Sequence, residues 1–138
     1  MLAADTVPGV TTLQNVLGAH VELVLAHTIS EATALLTPEL DAIVCGIHFD
    51  ESRMFDLLRL AKAHPAIRRI PFVCYRDLDT DLGATVVEGL DIATKALGAA
   101  AFVDTYSLKR MNGVANADAD FRDRVMVYAR QARTSGDM

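Results

Sequence analysis

A single α/β domain, a parallel sheet covered by helices on both faces, is predicted by three features of the sequence. Short apolar runs alternate with stretches of helical spacing along the whole chain. Two of those runs, residues 42–45 and 72–75, are continuously apolar, as strands buried on both faces are. The chain has 138 residues, the length of one ordinary domain, and its 51% hydrophobic content fills one core while 22% charged residues cover the surface.

Each element then follows in order. Residues 1–5 are an apolar run closed by Asp5 and read as the first strand, with Thr6, Val7, Pro8 and Gly9 as turn material. Val10, Leu13, Val16 and Leu17 recur at intervals of three and four, which predicts a helix with one buried stripe, stopped at Gly18. Residues 21–26 read as the second strand. Thr28-Ile29-Ser30-Glu31 is a capping box opening a helix whose inner face is Ala32, Leu35 and Leu36 and which Thr37-Pro38 ends. The third strand lies within residues 40–46, and a helix with Met54, Leu57, Leu58 and Ala61 on its buried side runs to His64-Pro65. The fourth strand ends at Tyr75. An acidic loop then leads to a helix over residues 82–97, which Gly83 and Gly89 each weaken by up to about 1 kcal/mol relative to alanine. Gly98 stops it, and residues 99–103 form the last strand, closed by Asp104-Thr105. Residues 109–118 hold Asn112-Gly113 and no periodicity, and read as a loop; Phe121, Val125, Tyr128 and Ala129 place a final helix. The domain is thus expected to cover residues 1–133, with 134–138 a frayed tail. Met54, Phe55, Phe72 and Phe102 are core residues. Strands alternating with helices at this spacing require right-handed crossovers, and the flavodoxin-like strand order 2-1-3-4-5 is the usual solution.

Composition excludes several functions. A net charge of -5 argues against sequence-independent binding of nucleic acid, which needs a basic face. No stretch approaches the length of a spanning helix, and residues 1–4 lack the basic start and long apolar core of a secretion signal, so no membrane and a cytoplasmic location are expected. Cys45 and Cys74 fall inside buried strands and read as reduced packing thiols. With His48 they fall short of the four ligands of a structural zinc site, and Cys45 lacks the turn and base of a nucleophile. No metal and no cofactor are expected. His20, His27 and His64 sit at element ends as solvated or capping residues.

Sites in open parallel sheets form beyond the carboxyl ends of the strands, which directs attention to Gly46, His48, Asp50, Arg76 and Asp77. Asp50, Glu51, Asp77, Asp79 and Asp81 crowd one rim. Acids at helix starts are ordinarily favoured by the helix dipole, so a cation site there is the alternative reading.

Three segments resemble the receiver domain of two-component response regulators. Val21-Glu22-Leu23-Val24-Leu25-Ala26 with Ser30-Glu31-Ala32 and Leu35-Leu36 is similar to the second strand and helix of receivers. Leu40-Asp41-Ala42-Ile43-Val44-Cys45, then Leu57-Leu58-Arg59-Leu60 and His64-Pro65 through Val73, is similar to the stretch from third strand to fourth. Leu97-Gly98-Ala99-Ala100-Ala101-Phe102-Val103 is similar to the end of the fourth helix and the fifth strand.

The resemblance implies a signalling module and also locates its departures. Receivers are phosphorylated on an aspartate ending the third strand, and this register puts Gly46 there. The acidic pair after the first strand, which helps to hold Mg²⁺, is reduced to Asp5 followed by Thr6. The Thr or Ser ending the fourth strand is replaced by Arg76, and the Lys ending the fifth falls near Thr105. The resemblance therefore implies a degenerate receiver without catalysis, a pseudo-receiver, acting on a protein partner or as a homodimer through its fourth helix, fifth strand and fifth helix, here residues 82–97 and 101–130. Arg76 is expected beside Asp5 and Asp104, in place of the metal and lysine, or else pointing into solvent. Two alternatives remain open: a small enzyme or ligand binder using the acidic rim with Arg76, and a receiver phosphorylated at a displaced acid such as Asp50.

Overall fold

The computed structural model describes residues 1–77 and 83–136, and the side chains of 1–77 and 83–133. The elements are β1 (Leu2–Ala4), α1 (Val7–Leu17), β2 (Val24–Ala26), α2 (Ile29–Leu35), β3 (Ile43–Gly46), the short α3 (Phe49–Ser52), α4 (Met54–Ala63), β4 (Phe72–Arg76), α5 (Ala84–Ala96), β5 (Ala101–Asp104), α6 (Thr105–Asn112) and α7 (Val114–Gly136). The five strands form one parallel sheet in the order β2-β1-β3-β4-β5, the flavodoxin-like arrangement expected from the alternation of elements.

Strand side chains alternate between two cores. Leu2, Ala4, Ile43, Cys45, Phe72 and Cys74 face the side covered by α2 and α4, where Met54, Leu57, Leu58 and Ala61 pack. Ala3, Val44, Val73, Tyr75 and Val103 face α1 and α7, meeting Leu13, Leu17, Phe121 and Val125. Every residue of β1, β3 and β4 is buried, which is why those segments read as unbroken apolar runs. Cys45 and Cys74 are partners in the β3–β4 register. Burial pushes the Cys74 thiol up to about 12 and holds Cys45 well above its usual value, so neither is a thiolate near neutral pH.

The local signals hold in most places. Thr28 caps α2 with both arms of the capping box present. Gly98 lies at φ +103, the left-handed geometry that glycine adopts without strain. Four expectations are corrected. Residues 6–9 are not a free turn: the Thr6 side chain accepts from the Gly9 amide, and Pro8 sits in the first turn of α1, where a missing amide hydrogen costs nothing. Residues 109–118 are not a loop. The Asp104 carboxylate caps α6 by accepting from the Ser107 amide, and Gly113, at φ +85, is the joint between α6 and α7. The fourth strand runs on to Arg76 rather than ending at Tyr75, while Gly18 ends α1 as its C-cap, as expected. Residues 21–23 lie outside the second strand, which begins at Val24. Helix α5 is described from Ala84, so its expected start at Leu82 lies outside the described residues, as do Asp79 and Asp81. The last helix continues to Gly136, and residues 137–138 of the expected tail lie outside the description.

Candidate functional site

Asp5 follows β1 directly and Gly46 ends β3, its neighbour in the sheet, so the two meet at the carboxyl edge. Alternation places Asp5 on the face of Ala3, toward α1. Asp5 is 6% exposed and both its carboxylate oxygens are engaged: Oδ1 accepts from the Thr6 amide at 2.7 Å, and Oδ2 accepts a short hydrogen bond from the Tyr75 hydroxyl. Two glycines leave the space it occupies. A Cβ on Gly46 would stand 2.6 Å from Asp5 Oδ1 and closer still to Oδ2, and a Cβ on Gly9 would overlap the same carboxyl group. Neither residue can carry a side chain while Asp5 lies where it does.

Burial raises Asp5 above the ordinary 3.8; the Tyr75 and Thr6 hydrogen bonds and the His48 charge work in the opposite direction. Burial likewise drives the Tyr75 hydroxyl well above its usual value, and the Asp5 charge adds to it. Tyr75 therefore stays a hydroxyl and a donor. Its ring packs on Phe121 of α7 at 5.2 Å between centroids, which holds the hydroxyl on Asp5.

Above this pair lies a cavity of about 40 Å³ lined by Asp5, Gly9, Gly46, His48, Tyr75 and Asp77. It has room for on the order of two or three waters. His48 Nε2 is buried there with no hydrogen-bond partner among the described residues. Asp77 closes the rim and is paired with Lys109 of α6 at 2.6 Å. Thr105 is buried at the start of α6, and its Oγ1 has no partner among the described residues.

Arg76 meets Asp104, as expected, but not Asp5. Its side chain is 3% exposed, not in solvent, and Nε pairs with Asp104 Oδ1 at 3.1 Å, but it does not serve Asp5. The period of two explains this. Tyr75 and Arg76 are consecutive on β4, so if Tyr75 reaches Asp5 on one face, Arg76 must project to the other. There its guanidinium lies over the Tyr106 ring at 4.6 Å. Asp104 accepts from Arg76, from the Ser107 amide and from the Ser107 hydroxyl, so it is a cap as well as an ion-pair partner.

Asp50 is also engaged. Its Oδ2 accepts from the Ile29 amide at 2.8 Å, capping α2 from across the loop, and Asp50, Glu51 and Ser52 hold successive φ values of 43, 55 and 69. Three left-handed residues without a glycine store strain of about 1–2 kcal/mol each.

The site thus gathers Asp5, Gly46, His48, Tyr75 and Asp77, with Lys109 reaching in from α6. Tyr75 and Lys109 were not singled out in the sequence. Tyr75 stands among apolar neighbours in a buried strand, and Lys109 lies in a stretch read as loop. A divalent cation of the kind receivers hold does not fit these residues. Among the described residues no group of three or more His, Cys, Asp or Glu is placed to hold a metal ion. Asp5 spends its oxygens on Thr6 and Tyr75, and Asp77 faces an ammonium, whereas a hard cation wants several free oxygens.

The class defined by sheet order, helix layers and the site at the carboxyl edge is the fold of response-regulator receiver domains. Two solved structures carry the likeness: the Mn(2+)-bound form of response regulator Rcp1 and the phosphorylated cyanobacterial phytochrome response regulator RcpA. Each is similar with a TM-score of 0.64 and 16% identity over 88% of this chain and 87% of the other. No family model matches the sequence, and a search of curated proteins finds no relative. No helix among the described residues is long and apolar enough to cross a membrane.

Proposed function

We propose that this chain is a receiver-like signalling module that does not accept a phosphoryl group at the tip of β3 and acts by contact with a protein partner or a second copy of itself. The observation that carries the reading is the Asp5 carboxylate lying in the space a side chain on residue 46 would need, held there by the Tyr75 hydroxyl. In a phosphorylatable receiver that space belongs to the acceptor and its cation. Here an internal hydrogen bond takes it, and the fold keeps one arrangement without either. Asp50 is not a substitute acceptor in this reading, because its carboxylate caps α2.

The contact surface is the one the resemblance implies: α5, β5 and the helices that follow. In its support, α5 exposes Val86 and Ile92, and α6 exposes Met111 at 78%. The test is intact mass measurement after incubation with acetyl phosphate and Mg²⁺, beside light scattering across a range of concentrations. The reading expects no phosphoryl adduct. An adduct mapping to Asp5, Asp50 or Asp77 would overturn it.

A further inference from the structure

We propose that the cleft between α5 and α6 binds a small organic acid with one carboxylate on an apolar body, the carboxylate resting on Arg76 and Arg110. The cleft is about 500 Å³, inside the range of roughly 300–1,000 Å³ usual for small-ligand sites. It exists because α5 is lightly seated: of its thirteen residues only Thr94 is buried. Phe102, Tyr106 and Val87 supply apolar lining, and Arg76 and Arg110 supply the cations. It is separate from the cavity above Gly46, since Arg76 and Asp104 project from the opposite face of the sheet to Asp5 and Tyr75.

Arg76 carries the argument. Its side chain is 97% buried, Nε is spent on Asp104, and Nη1 is buried with no acceptor among the described residues. A buried donor left unpaired is costly, and on a permanent cation more so. An acceptor brought to Nη1 therefore gains more than the same contact at an exposed arginine. The Tyr106 ring positions both guanidinium groups, Arg76 at 4.6 Å and Arg110 at 5.7 Å from its centroid, so the basic side of the cleft is already ordered. The other wall selects the ligand. Glu88 and Asp91 of α5 line the same space and, with Asp104, repel a dianion such as phosphate while leaving a single carboxylate tolerable. Phe102 and Tyr106 then favour an apolar or aromatic body.

The test is a ¹H–¹⁵N NMR titration of the full chain with sodium benzoate, with inorganic phosphate and benzylamine as comparison probes. Saturable shifts at Arg76, Phe102 and Arg110 with benzoate, and neither comparison probe matching them, are expected. Replacing Arg76 also unpairs Asp104, so the variant of choice is Arg110→Gln, whose residue is exposed and whose fold the same spectrum reports. It should weaken benzoate about tenfold, the loss of one charge-assisted contact. No saturable response to benzoate, an equal response to benzylamine or phosphate, or an unchanged affinity in Arg110→Gln would each overturn the proposal.

Discussion

Asp5 is the residue on which the site turns, and its environment makes three measurable statements. Burial raises its proton affinity in the folded state, so the stability that proton confers is complete below 3.8 and is lost as pH climbs through the raised native value. Asp5→Asn carries no such loss. Its stability relative to wild type, from urea unfolding across pH, should rise over the window above 3.8 and then level off. Tyr75→Phe removes the hydroxyl that serves the charged carboxylate and should cost about 1.5–3 kcal/mol at neutral pH, less where Asp5 is protonated. Gly46→Ala puts a methyl into the Asp5 carboxylate and should cost about 1–3 kcal/mol. In a double-mutant cycle with Asp5→Ala the two changes should couple by about 0.5–3 kcal/mol, because the second removes what the first collides with. Additivity would mean that Asp5 moves aside freely. Little of this was legible beforehand: Gly46 was visible as an altered position and Asp5 as the acid that remains, but the tyrosine that joins them lies 70 residues from Asp5 in sequence and stands among core residues.

At the level of elements, local chemistry was readable wherever it was local. The Thr28 capping box sits within four consecutive residues and forms as written; Thr28→Ala should cost about 1 kcal/mol, read from the urea midpoint. The α6–α7 segment differs from the expected loop because Asn112-Gly113 is a turn signal and periodicity is weak beside it, and because Asp104, which ends β5 as expected, also caps α6. The loop after β3 hid its left-handed run, since nothing in Asp50-Glu51-Ser52 announces positive φ. That strain predicts a gain: Glu51→Gly, at an exposed position with φ 55, should stabilise the protein by up to about 1 kcal/mol, the relief of the left-handed penalty offset by the entropy of glycine. A loss of stability would show that the Glu51 side chain contributes contacts of its own.

For the whole molecule, sheet order and layers were fixed by alternation and by the two continuous apolar runs, because topology leaves few other ways to bury parallel strands. The placement of Arg76 required the same rule at finer scale: neighbours on a strand face opposite ways, so one of Tyr75 and Arg76 had to leave the Asp5 side. The molecule therefore separates two features across its sheet, a closed Asp5–Tyr75 pair on one face and an open cleft at Arg76 on the other. The first carries our proposal that the tip of β3 does not accept a phosphoryl group, and that proposal is tested most directly by an NMR spectrum of the full chain recorded with and without beryllofluoride and Mg²⁺. The account predicts no change at Gly46, His48, Tyr75 or Thr105; saturable shifts at those amides, lost in Asp5→Asn or Asp50→Asn, would contradict it.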